Sequence, residues 1–289
     1  MNEINWYPGH MAKAKRLLLE NLKIVDAVIE VVDARAPVSS RNPDLEELFR
    51  NKYRVVVLNK SDLAYETETE KWVQAFKNRG ENAIALSSLK NIKKDTVLKK
   101  IEYAVQPILE RYKSKGINKT IRAIVVGIPN VGKSTLINKL TGQNVAKIGD
   151  KPGVTKGKQW IHISKYFELL DTPGLLWPKL ENQESAKHLT YINAIRDEIL
   201  DKEEIAQSLI SELYLYHNGS LMEYAPFLTK EDIINSSVLT TFAEQNHFLF
   251  SNNEPDELRA ANCIIDDFRK GRIGRITLEN VDWNDHALN

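Results

Sequence analysis

Gly127-Ile128-Pro129-Asn130-Val131-Gly132-Lys133-Ser134-Thr135 has the residue types and spacing of a phosphate cradle. Glycines at both ends of such a loop let backbone N–H groups converge on phosphate oxygens at the start of a helix. Asn130, Val131, Gly132, Lys133, Ser134 and Thr135 are therefore expected to bind nucleotide. Lys133 can span the β- and γ-phosphates and act in catalysis, and the Ser134 hydroxyl can ligate Mg²⁺.

A phosphate cradle leaves the base undecided, and Asn59-Lys60-Ser61-Asp62 supplies a base reader. Asp62 can accept hydrogen bonds from the ring N–H and the exocyclic amine of guanine. Adenine has neither donor there, so it would leave a buried carboxylate unpaired, an omission that polar pockets reject strongly. Asn59 would bond the N7 side of the base and hold loops together, while the Lys60 stem packs along base and ribose. One strand later, Ser87 and Ser88 can offer backbone N–H groups to the guanine O6; a serine pair can also simply end a strand.

Two further loops carry switch chemistry. Gly149-Asp150-Lys151-Pro152-Gly153-Val154-Thr155 places Thr155 as a second hydroxyl on Mg²⁺, a γ-phosphate donor and a catalytic group. In Asp171-Thr172-Pro173-Gly174, Asp171 would hold a Mg²⁺-bound water, and the Gly174 N–H would sense the γ-phosphate. Contacts made only to the triphosphate are the physical basis of two conformations. No glutamine follows Gly174, where Leu175-Leu176 stand.

These residues need strand ends and helix starts to position them, and the sequence supplies both. β-Branched runs at 27–32, 53–58, 82–86 and 121–126 alternate with helical periodicity at 44–51, 67–79 and 93–113, and a hairpin pair is expected at 159–164 and 166–170. The fold class is α/β: a doubly wound P-loop domain with a mostly parallel six-stranded sheet. After Pro178 the pattern turns helical, with helices expected at 203–217 and 256–270. Residues 1–177 are thus expected to form the nucleotide-binding domain, an N-terminal basic helix included, and 178–289 an all-helical one. The guanine motif precedes the phosphate loop, the reverse of the ordinary order, so the domain is circularly permuted and 113–120 is a surface connection. The second switch then leads directly into the helical domain, which predicts mechanical transmission of nucleotide state.

Formal net charge is only +1, but the charges are sorted. Residues 112–165 hold 11 Lys or Arg against a single acid, and 178–289 hold 10 basic against 20 acidic residues. A nucleotide cannot use that whole positive excess, so a second polyanion such as RNA is expected, solvated lysines being the alternative. Lys13, Lys15 and Arg16 on the first helix and Arg269, Lys270, Arg272 and Arg275 near the last are candidate phosphate contacts. The single cysteine, Cys263, excludes an internal disulfide or a multi-cysteine metal cage. With no signal-peptide pattern and no long apolar run, a cytoplasmic protein without membrane contact is expected.

The whole motif set resembles the circularly permuted ribosome-assembly GTPases of the RbgA/YlqF family. Its marks are Trp6-Tyr7-Pro8-Gly9-His10-Met11, Asp33-Ala34-Arg35-Ala36-Pro37, the guanine motif, the phosphate loop with Asn130, Pro152-Gly153-Val154-Thr155 and Asp171-Thr172-Pro173-Gly174, with Tyr7 standing where the family more often has Phe. The resemblance implies a monomeric GTPase, slow alone, that binds the large ribosomal subunit and its rRNA late in assembly and is stimulated there. It makes His10 the candidate to orient water in place of the missing glutamine; a helix cap or an RNA contact is the alternative role. Asn130 resembles the asparagine that holds K⁺ against the phosphates in potassium-stimulated GTPases. Two other readings stay open, a nucleotide-gated docking module in which hydrolysis is incidental and, against Asp62, a P-loop ATPase.

Overall fold

The computed structural model describes residues 16, 18–43, 47–49, 51–87, 94–142, 160–165, 167–170, 182–195 and 201–283. They fall into two units: one takes the described residues up to Ala186 together with those from Thr277 onward, and the other is Lys187–Ile276. The division therefore lies later than the expected 177/178 boundary. It is also crossed twice, because the residues after Ile276 rejoin the nucleotide unit.

The first unit is built on a six-stranded sheet in the order β3-β2-β1-β4-β6-β5. Its strands are β1 (Ala27–Asp33), β2 (Tyr53–Asn59), β3 (Asn82–Ala85), β4 (Ile121–Val126), β5 (Trp160–Ser164) and β6 (Phe167–Leu170). All pairings are parallel except β5 with β6. All seven residues of β1 are buried, as a central parallel strand covered on both faces requires. Of the two carboxylates in that run, Glu30 and the terminal Asp33, Glu30 lies mid-strand. Burial opposes its ionisation, but Arg41 and Arg54, 3.0 and 2.8 Å away, outweigh burial and hold its carboxyl below the ordinary range.

Helices α1 (Glu66–Asn78), α2 (Lys94–Lys113) and α3 (Lys133–Thr141) accompany the sheet. In α1, Thr69, Trp72 and Phe76 recur at helical spacing and are buried. Of the helix expected at 44–51, the described residues show a single 3-10 turn, Glu47–Phe49. The permuted connection after α2 is largely exposed and is pinned where it ends. Lys119 lies 4.4 Å over the Tyr112 ring and pairs with Asp26, whose other oxygen accepts from the Arg122 N–H at 3.1 Å. One carboxylate thus fixes the new joint at the start of β1.

Helix α4 (Gln183–Tyr191) leads into the second unit, followed by α5 (Lys202–Tyr216), α6 (Asn218–Tyr224), α7 (Lys230–Ile234), α8 (Val238–Gln245) and α9 (Glu257–Lys270). Asp201 caps α5, accepting from the N–H groups of Glu203 and Glu204, and Asp256 caps α9. Helix α9 stops at Gly271, whose φ of 73° is the left-handed conformation that glycine adopts without strain. The core joins Ile205, Leu209 and Leu213 of α5 to Ala261, Ile264 and Phe268 of α9. Among the described residues, no helix is long and apolar enough to cross a membrane.

Candidate nucleotide-binding site

Because β1, β2, β3 and β4 are parallel, their carboxyl ends share one edge of the sheet, the edge where open α/β folds bind ligands. Register sets the depth. Asp33 pairs with Asn59, and Val126 is level with Glu30, so the loop leaving β4 rises beside residues 31–33. The approach is close: a Cβ on Gly127 would stand 2.4 Å from the Val31 carbonyl oxygen. Only glycine fits there.

The phosphate loop ends in α3, whose N-cap is Gly132 at φ 93°. The N–H groups of that first turn are the donors a phosphate needs. Asn59 Nδ2 donates to the Val131 carbonyl at 2.7 Å, tying the base-reading loop to the phosphate loop. A Cβ on Gly132 would lie 2.3 Å from that same Nδ2, so tie and glycine require each other. Lys133 is buried, and its Nζ donates to the Ile128 carbonyl at 2.7 Å, across its own loop. Asn130 holds φ at 59°, a conformation unusual outside glycine but tolerated by asparagine. Ser134 and Thr135, in the first turn of α3, are half-buried.

The loop after β2 is equally constrained. Lys60 takes φ 57°, and its backbone carbonyl accepts from the Leu63 N–H at 2.9 Å. The Ser61 N–H donates to the Leu86 carbonyl, which brings buried Ser87 beside the guanine motif. Asp62 is half-buried on the same loop. The Lys60 ammonium, expected along base and ribose, is 2.9 Å from Asp33 Oδ2.

Asp33 and Arg35 are the pair that sequence reading quoted but gave no role. Both are fully buried, with Arg35 Nε on Oδ1 and a terminal guanidinium nitrogen on Oδ2, each at 2.9 Å. Burial opposes the charge on Asp33. The Arg35 guanidinium and the Lys60 ammonium outweigh it and keep the carboxyl far below its ordinary value. The available signal was an acid and an arginine two residues apart at the end of an apolar strand.

His10, Lys13, Lys15, Ser88, Thr155, Asp171 and Gly174 lie outside the described residues, so both switch loops do as well. Among the described residues no cluster of three His, Cys, Asp or Glu could hold a metal. Arg16 is exposed in the N-terminal helical stretch. The four C-terminal cations have different surroundings. Arg269 donates from two guanidinium nitrogens to the carbonyls of Tyr191 and Thr190, at 3.0 and 2.8 Å, and so caps the end of α4. Lys270 pairs with Asp266, and Arg272 with Asp267 at 2.6 Å; both chains are exposed, as is Arg275.

A family model described as 50S ribosome-binding GTPase matches residues 122–217. Among curated proteins, Ribosome biogenesis GTPase A of Bacillus licheniformis is 46% identical over 287 residues, covering 96% of this chain and 99% of that one. The protein of the same name from Bacillus cereus is 40% identical over 281 residues, covering 96% and 94%. A crystal structure of GNP-bound YlqF from Thermotoga maritima aligns with a TM-score of 0.67 at 27% identity, over 93% of this chain and 98% of that chain.

Proposed function

Because the chain belongs to the ribosome biogenesis GTPase A family, and hydrolyses GTP in ribosome biogenesis, we propose that it is a switch that binds the assembling large subunit and its rRNA and whose GTP hydrolysis times its release. The observation that carries the guanine-site reading is the bond from Asn59 to the Val131 carbonyl, which makes base recognition and phosphate binding one rigid constellation. Asp62 reads guanine on that frame, and Ser87 with Ser88 closes on its O6. Lys133 exchanges the Ile128 carbonyl for phosphate oxygens when GTP binds, offsetting charge on the β- and γ-phosphates.

The residues present suit Mg²⁺: a neutral hydroxyl, Ser134, stands in the first turn of α3, and a hard cation held by hydroxyls, water and phosphate needs no carboxylate cage. Ser134 and Thr155 would hold it directly and Asp171 through water. When bound it neutralises developing charge on the phosphates. Asn130 is assigned to K⁺, and His10 to orienting the attacking water. Arg16, Lys13 and Lys15, with Lys270, Arg272 and Arg275, carry rRNA contact. Arg269 serves that surface only indirectly, through the fold. The protein acts as a monomer in the cytoplasm.

GTP turnover measured with and without purified large subunits, in KCl and in NaCl, tests this reading. Stimulation by the subunit, larger in KCl, is the expected result. Turnover indifferent to the subunit overturns the release-timing role, and equal rates in the two salts remove K⁺. A Lys270→Ala/Arg272→Ala/Arg275→Ala protein should bind subunits more weakly and with a shallower salt dependence, with GTP affinity unchanged.

A further inference from the structure

The segment that follows the helical unit comes back to the base-reading side of the nucleotide unit. Leu278 N–H donates to the Arg35 carbonyl at 2.8 Å, and the Glu279 carboxylate accepts from the N–H groups of Val38 at 2.6 Å and Ser39 at 3.1 Å. Thr277 Oγ1 accepts from the Tyr65 N–H at 3.0 Å, and the Trp72 indole donates to the Glu279 carbonyl at 2.7 Å. Glu279 is wholly buried, more than two hundred positions along the chain from the amides it holds. Three consecutive residues thus clamp both the loop that leaves β1 and the loop that leaves β2.

Those two loops begin with Asp33 and with Asn59-Lys60. The β1 loop is stiffened further from inside, since Ser40 Oγ accepts from the Asp33 N–H at 2.9 Å and donates to the Ala36 carbonyl at 2.6 Å. A left-handed lysine such as Lys60 persists only where its surroundings over-determine it. The clamp holds the far end of that loop at Tyr65, and the Asp33 carboxylate holds the Lys60 ammonium.

We propose that residues 277–279 are positioning residues of the guanine site, acting on Lys60 through the 36–40 turn and the Asp33–Arg35 pair, so that guanine-nucleotide affinity depends on a segment attached directly to the end of the helical unit. The proposal rests on the reading of Asn59 to Asp62 as the base-recognition loop. It gives the helical unit a second covalent route to the nucleotide besides the one after the second switch.

Dissociation of a fluorescent GDP, the methylanthraniloyl derivative, chased with excess GDP, tests this on the full-length chain. Glu279→Ala should raise the dissociation rate and the KM for GTP about tenfold, with turnover at saturating GTP retained. Glu279→Gln should recover most of the affinity, because its carboxamide oxygen still accepts from the loop amides. The effect should shrink to about twofold when Glu279→Ala is made in a Lys60→Ala protein, as coupled positions do. A folded Glu279→Ala protein that releases the nucleotide at the wild-type rate overturns the proposal, as does full additivity with Lys60→Ala. If Glu279→Ala does not fold, Thr277→Val, which keeps the side chain's shape and removes the acceptor of the Tyr65 N–H, is judged on the same rates. Asp62→Ala separates the two levels: if it leaves guanine affinity unchanged, the base-reading assignment itself fails. If it weakens affinity while Glu279→Ala does not, only the clamp fails.

Discussion

At the scale of single residues, the candidate guanine loop is held by a buried carboxylate. Asp33 is buried between Arg35 and Lys60, and its charge is tolerable only because both partners are present. Asp33→Asn should lower stability in urea by about 3–5 kcal/mol at neutral pH, since it leaves two cations without their carboxylate. The pH dependence has a definite sign. Because the folded carboxyl lies below its ordinary value of 3.8, the wild-type advantage is complete above that value and is lost as pH falls beneath it. Urea titrations of both proteins between neutral pH and pH 3 would show the gap narrowing with acid. Gly132→Ala acts through geometry instead. A methyl group 2.3 Å from Asn59 Nδ2, at a φ of 93°, must displace the tie to Val131, and the GTP dissociation constant should rise about tenfold or more.

At the scale of elements, the helical unit is specified by its helix ends. Asp201, Asp256 and Gly271 start or stop their helices locally, which is why helices at 203–217 and 256–270 are readable from sequence, whereas the shorter α6, α7 and α8 are not singled out there. The end of α4 is different, because its carbonyls are satisfied by Arg269 from 78 positions away. Arg269→Ala should therefore cost about 1–3 kcal/mol of stability, because the Tyr191 carbonyl loses its donor while the Thr190 carbonyl keeps the Asn193 N–H. Lys270→Ala, which loses an exposed pair with Asp266, should cost under about 1 kcal/mol. Chemical denaturation followed by circular dichroism separates the two. A basic cluster that looked uniform in sequence divides into a structural arginine and three exposed cations.

At the scale of the molecule, the chain leaves its nucleotide unit after α4's first residues and re-enters it at Thr277, so the C-terminal residues belong to the first unit although the helical one precedes them. Val281 packs against the cluster of Val32, Leu58, Trp72 and Phe76 that lies under the guanine loop. A chain ending at Ile276 should accordingly unfold its nucleotide unit at lower urea. Trp72 Nε1 and the N–H groups of Val38 and Ser39 lose their acceptors, at about 1–3 kcal/mol for each buried donor left unpaired. Intrinsic tryptophan fluorescence during the titration would report it, and an unchanged midpoint would show that the return segment carries no stability.

The sequence by itself determined the nucleotide, the strand order's permuted origin and the alternation of strands and helices. Those features are written in local patterns: the spacing of glycines, the carboxylate of Asp62, β-branched runs and helix caps, each acting over a few residues. It also supplied the family resemblance, through motifs that keep their own internal spacing. Only the tertiary structure decided how Lys60 is held, which arginine is structural, and where the last residues belong. Asp33 holds the Lys60 ammonium and Glu279 holds the Val38 and Ser39 amides, partners far apart in the chain that no local period or spacing announces. Burial makes those bonds strong, and burial exists only once the sheet and its helices have assembled.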